Sequence, residues 1–126
     1  MVHVLPPEGK IALVVANGDL DFAQLIVAYG TALRNAAPLT LWDLSEARLR
    51  QIDAVTIRTL ARRVVELGKG IPLKKAQAAV VCARPVDYGI TRMLMTYLEQ
   101  EGYPVRIAAF MNRDAARTWL LGNAAE

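Results

Sequence analysis

Five short apolar runs alternate along this chain with four segments whose apolar residues recur at helical spacing. That alternation restricts the fold more than any other feature. Strands that alternate with helices pair as a largely parallel sheet joined by right-handed crossovers. The runs are Val2 to Leu5, Ile11 to Ala16, Leu39 to Trp42, Ala76 to Ala83 and Pro104 to Phe110. Only Pro6-Pro7-Glu8-Gly9, a turn sequence, separates the first two, which are therefore read as a hairpin closed by Asn17-Gly18-Asp19.

The helical segments carry their own punctuation. Asp21 and Gln24 form a capping-box pattern ahead of Phe22, Leu25, Ile26, Tyr29 and Leu33, and Ala36-Ala37-Pro38 stops that helix. A second helix opens at Asp53 and runs to about Leu67. Ile57, Leu60, Ala61 and Val64 face inward there, Arg58, Arg62, Arg63 and Glu66 outward, and Gly68 and Gly70 end it. After a loop at Arg84-Pro85-Val86-Asp87, a third helix buries Ile90, Met93, Leu94, Tyr97 and Leu98 and is capped by Gly102. Asn112 or Asp114 caps a fourth, which buries Ala115, Ala116, Trp119 and Leu120 and ends at Gly122. The predicted order is β-β-α-β-α-β-α-β-α in one α/β domain over residues 1–122, with 123–126 a frayed tail.

A chain of 126 residues suffices for one domain with its own core. The hydrophobic fraction is 54% and the mean hydropathy +0.24. Even so, no apolar run reaches the roughly 18–20 residues that span a bilayer. The start, MVHVLPPEGK, lacks the basic-then-apolar pattern of a signal peptide. Cys82 stands alone, so no intramolecular disulfide can form, and a cytoplasmic location is expected. A core this apolar in a small domain also predicts symmetric self-association into a homo-oligomer.

Net charge is +3 but uneven, with eight cationic residues against three acidic ones between Glu46 and Lys75. Such a segment attracts nucleic acid, anionic lipid or an acidic protein, or is simply a solvated helix face. No aromatic residue is interleaved with the arginines, so nucleic acid is not an expected partner.

Titratable groups in mutual reach are scarce. His3 is the only histidine and reads as a half-exposed strand residue; Cys82 reads as a small buried hydrophobe. No metal-ligand spacing and no phosphate-cradling glycine loop is present, and no cofactor is expected. Asp43 ends a strand, where a receiver domain carries its phosphoaspartate, and Asp19 and Asp21 would serve as magnesium partners. No lysine follows the fifth strand, however, so Asp43 is read as tethering a turn. Asp53 is read as a helix cap. An enzyme reading would gather Asp87, Tyr88 and Arg92 at the start of the third helix, but no base would activate a nucleophile there. The chain is thus expected not to be an enzyme.

Several stretches resemble one family when taken in order: Asp43-Leu44-Ser45, Ile52-Asp53, Asp87-Tyr88-Gly89-Ile90-Thr91-Arg92-Met93, and Val105 to Phe110 followed by Ala115-Ala116-Arg117-Thr118-Trp119-Leu120. Together they are similar to the SpoIIAA-like branch of the STAS family. The resemblance implies a mixed, mostly parallel sheet with helices packed mainly on one face, and a regulatory or binding role without catalysis. Members of the sporulation type are switched by phosphorylation of a serine at the start of the second helix, in a motif similar to Asp-Ser-Ser-Gly. Here that run is Asp53-Ala54-Val55-Thr56. The acid matches, apolar residues replace both serines, and Thr56 lies about 100° further round the helix. The serine switch is not expected to operate.

The first functional expectation is therefore a non-enzymatic regulatory module that binds a protein through the Leu44–Val55 loop and its surroundings. Its contact residues would be Asp19, Asp43, Ser45, Arg48, Arg50, Asp53, Val55, Thr56, Arg58, Tyr88 and Arg92. The wider fold group implied by the resemblance includes lipid carriers. The alternative is accordingly a carrier of an apolar or lipid-like small molecule acting near a membrane surface. The apolar composition and the methionine-bearing third helix (Met93, Met95) motivate it, although methionine fills plain cores as readily.

Overall fold

Every strand pairs with its neighbour in sequence. The computed structural model describes residues 1–34, 37–73 and 75–124. Its elements are β1 (Val2–Glu8), β2 (Ile11–Asp19), α1 (Phe22–Arg34), β3 (Leu39–Arg48), α2 (Ala54–Gly68), β4 (Gln77–Val81), α3 (Pro85–Gln100), β5 (Arg106–Phe110) and α4 (Arg113–Ala124). The sheet order is β1-β2-β3-β4-β5, with β1 antiparallel to β2 and all other pairs parallel. This is the expected α/β architecture.

Sequential order dictates where the helices go. Each right-handed crossover steps one strand in the same direction, so α1, α2 and α3 must fall on one face. Only α4, which follows the last strand, turns to the other. There Ala116 and Leu120 pack on Ile11, Leu13, Leu39, Leu41, Ala79 and Val81. The Trp119 ring lies 5.8 Å from that of Phe110 between centroids.

The local signals behind the helices hold. Gln24 N–H donates to Asp21 Oδ1 at 2.8 Å and Asp21 N–H to Gln24 Oε1 at 3.0 Å, a reciprocal capping box. Asp53 caps α2 through the Thr56 N–H at 2.8 Å, and Ile57, Leu60, Ala61 and Val64 are all buried. Asn112, not Asp114, caps α4, accepting from the Ala115 N–H at 2.7 Å. The stop expected at Ala36 lies outside the described residues; Ala37 and Pro38 do lie beyond the last residue of α1.

Other boundaries differ from expectation. Pro6 and Pro7 are not the hairpin turn. They sit inside β1 at a bulge between Leu5 and Glu8, where an edge strand tolerates residues without an N–H, and the turn is Gly9-Lys10, with Gly9 at φ +60°. β2 does not close at Asn17; it continues to Asp19. β3 does not stop at Trp42, because a bulge inserts one extra residue between Asp43 and Glu46, opposite Val15 and Asn17. That extra residue breaks the two-residue period yet keeps Leu44, Ala47 and Leu49 in one core cluster. β4 and β5 are shorter than their apolar runs. α3 begins at Pro85, at the first helical turn where a missing N–H costs nothing, so Asp87 is helical and not in a loop. Met93 is 40% exposed and Ala115 is exposed; neither joins the core. α4 continues to Ala124, past Gly122.

No helix among the described residues is long and apolar enough to cross a membrane.

Candidate functional site

β3 and β4 are interior strands, each paired on both sides, and their side chains should be well buried. On the α4 face they are, with Leu41 and Ala79 at 0% exposure. On the face of the three crossover helices, Trp42, Ala78 and Val80 remain half-buried. A cavity of about 130 Å³ lies over them. Its floor is Trp42 beside Val80 and Ala78 beside Ile107. One wall is Ile57, Leu60 and Val64 of α2, and the other is Ile90, Leu94, Met95 and Leu98 of α3. Leu49 and Ile52, from the β3–α2 loop, close one end, and Tyr29 and Tyr103 stand at the other. Among the described residues no charged side chain lines this cavity. A cavity of about 150 Å³ lined by aliphatic and aromatic groups stays dry and accepts benzene in an engineered protein. The space here is of that order and that chemistry.

A second cavity, of about 190 Å³, adjoins it toward the amino ends of the strands. It shares Tyr29, Trp42, Ala78, Tyr103 and Val105 with the first, and Thr40, Lys75 and Gln77 add polar groups to its lining. The Tyr29 and Tyr103 hydroxyls hydrogen-bond to each other across the junction. Burial pushes both phenols above their ordinary values, so they stay protonated. Gly68, the last residue of α2, allows this arrangement. A Cβ there would stand 3.0 Å from Leu73 Cδ1 and 3.4 Å from the Tyr29 hydroxyl.

The polar residues expected to form a contact surface lie along the carboxyl edge of the sheet, in separate groups. Asp19, at the end of β2, pairs with Arg50 at 2.6 Å. That hydrogen bond holds its carboxyl below the usual range, with Arg48 and Arg84 adding attraction. Asp43 accepts both the N–H (3.0 Å) and the hydroxyl (2.6 Å) of Ser45, as a tethered turn should, and also pairs with Arg113 at 3.4 Å on the α4 side. Asp53 and Thr56 make the α2 cap, beside Val55 at 77% exposure. The guanidinium of Arg58 lies 5.1 Å from the Tyr97 ring centroid, and that of Arg92 lies 5.9 Å from the Tyr88 ring centroid. Asp87, Tyr88 and Arg92 do not assemble as a catalytic group. Asp87 is 1% exposed and fully engaged: Oδ1 accepts the Leu49 N–H at 3.1 Å and Oδ2 accepts Arg84 Nε at 3.0 Å. Its task is to fasten the β3–α2 loop, and with it the cavity's end wall, to the start of α3. Cys82 is buried with its sulfur 3.3 Å from Thr91 Oγ1, and burial pushes its thiol up, away from reactivity. Among the described residues no group of His, Cys, Asp and Glu is placed to hold a metal.

Two of these carboxylates make an acid-limb prediction. The Thr56 N–H lowers Asp53 as Arg50 lowers Asp19. A lowered native value contributes stability above the unfolded value of about 3.9, and that contribution is lost as pH falls through the native value. The Asp19→Asn/Asp53→Asn variant should therefore melt below wild type at neutral pH, with the gap closing below about pH 4. Melting curves from pH 7 downward check this; a gap that persists at the acid end would assign it to something other than these charges.

The residues that sequence reading missed are Trp42, Tyr29 and Tyr103 as cavity wall. The only signal was an aromatic residue at three positions, each of which also fits an ordinary core. Comparison with known protein families and with curated proteins gives no match. Fold and site together define a class only: a mostly parallel α/β module with three crossover helices on one face and α4 on the other, and an apolar chamber between its sheet and crossover helices.

Proposed function

We propose that this chain is a non-enzymatic binding module whose ligand is a small apolar molecule held between the sheet and α2/α3. One observation carries this: the half-buried state of Trp42, Ala78 and Val80 on two interior strands, under a cavity with no charged side chain among the described residues. Empty apolar volume at the centre of a domain is costly, at about 24 cal/mol per Å³ where a side chain has been removed. A ligand that fills it restores dispersion attraction to the lining side chains. The likeness to the STAS family agrees with a binding role, and its wider fold group with an apolar cargo.

The test is a methyl NMR titration of the full chain with isopropylbenzene, together with thermal melts. Methyl shifts should concentrate on Ile57, Leu60, Leu94 and Leu98, while Leu13, Leu41 and Leu120 on the α4 face stay still. At ten times Kd the ligand should add about 1.4 kcal/mol to stability. Absence of both effects at the solubility limit of the probe would overturn the reading. It would leave the protein-binding surface in place, which the exposed Val55 and Val86 at the starts of α2 and α3 favour.

A further inference from the structure

The hydrogen-bond arithmetic at the junction of the two cavities is unbalanced. Two hydroxyls bring two protons, and their mutual bond uses one. Whichever tyrosine accepts keeps a proton with no acceptor among the described residues. Trp42 lines the same junction, and its indole N–H, a donor only, has no acceptor among the described residues either. Thr91, the other hydroxyl on the first cavity's wall, is already spent: it donates to the Asp87 carbonyl oxygen at 3.0 Å. The junction therefore has surplus donors beside the apolar first cavity, while the wall of the second cavity adds one buried acceptor without a partner, Gln77 Oε1.

We propose that the Tyr29–Tyr103 pair is the polar anchor of this site, and that its ligand is a small apolar molecule bearing one neutral carbonyl oxygen: a ketone, aldehyde or ester. This rests on the apolar-binding reading and names the ligand class. The carbonyl accepts the free tyrosine proton while the hydrocarbon body lies against Val80, Leu94 and Ile57. A carboxylate fits less well. Among the described residues no lysine, arginine or histidine lines the first cavity, Lys75 lying on the wall of the second, and an uncompensated charge in the first would lose its hydration without a partner. Burial keeps both phenols protonated, hence able to donate.

Three probes matched in non-hydrogen atoms test the proposal: isopropylbenzene, acetophenone and benzoate. In the Tyr29→Phe/Tyr103→Phe variant, which removes both hydroxyls and keeps both rings, acetophenone should bind about fivefold to tenfold more weakly than in wild type. Isopropylbenzene should bind as well or better. Benzoate should bind wild type more weakly than acetophenone. A parallel measurement needs no variant: the carbonyl stretch of acetophenone bound to wild type should lie below its frequency in alkane. Isopropylbenzene binding with an alkane-like carbonyl frequency, or with unchanged acetophenone affinity in the folded variant, overturns the anchor and leaves the apolar site standing. Tighter binding of benzoate overturns the neutral class. If isopropylbenzene fails to bind wild type, the apolar site falls and the anchor with it.

Discussion

Asp87→Ala is expected to lower the unfolding free energy by about 2–4 kcal/mol, and Asp87→Asn by about half as much. The carboxylate is 1% exposed and accepts two hydrogen bonds, one from a backbone N–H and one from a guanidinium. Alanine leaves the Leu49 N–H without its acceptor in a buried setting, which alone costs about 1–3 kcal/mol. The Arg84 side chain is 42% exposed, so its charge returns to water and the full penalty of a stranded buried ion does not apply. Asparagine retains an oxygen for Leu49 but presents an amide where Arg84 needs an acceptor, hence the intermediate loss. Urea unfolding of the three proteins measures this. Because the same bond seats Leu49 and Ile52 at the end of the cavity, the alanine variant should also bind isopropylbenzene more weakly. A change within 0.5 kcal/mol, about the scatter of surface substitutions, would show that the loop does not depend on this bond.

That role is hard to read from the sequence. The stretch Arg84 to Asp87 contains a proline and looks like a loop, whereas Pro85 at the first helical turn pre-sets the helix and draws Asp87 into it. Elements whose signals are local were legible. α2 shows its cap at Asp53, its inward face at Ile57, Leu60, Ala61 and Val64, and its end at Gly68 within one short segment. Elements that depend on a partner were not. The second half of β3 hides behind a bulge that shifts its alternation by one residue. The cavity hides for a deeper reason. Trp42, Val80 and Leu94 carry the same apolar pattern whether neighbouring elements close over them or stand slightly apart, and that separation belongs to the assembled fold. Tyr29 and Tyr103 lie 74 residues apart, so no local pattern could join them.

Two adjacent alanines turn that separation into a measurement. Ala78 and Ala79 are neighbours on β4, so their side chains point to opposite faces of the sheet. Ala79 is at 0% exposure in the cluster under α4. Ala78 is half-buried and lines both cavities. Leucine at position 79 must displace packed neighbours and is expected to cost about 1–3 kcal/mol. Leucine at position 78 enters empty space, so stability should hold or rise by up to about 2 kcal/mol. Its three added carbons occupy volume that a ligand would otherwise fill. Each carbon of the probe kept out of the cavity weakens binding by about 0.8 kcal/mol. Three of them amount to about 2.4 kcal/mol, or roughly a fiftyfold rise in the Kd for isopropylbenzene. Ala79→Leu, where folded, should leave that Kd near its wild-type value. Equal destabilisation by both substitutions would mean that the helical face is as closely packed in solution as the α4 face. Binding unaffected by Ala78→Leu would place the probe elsewhere on the protein.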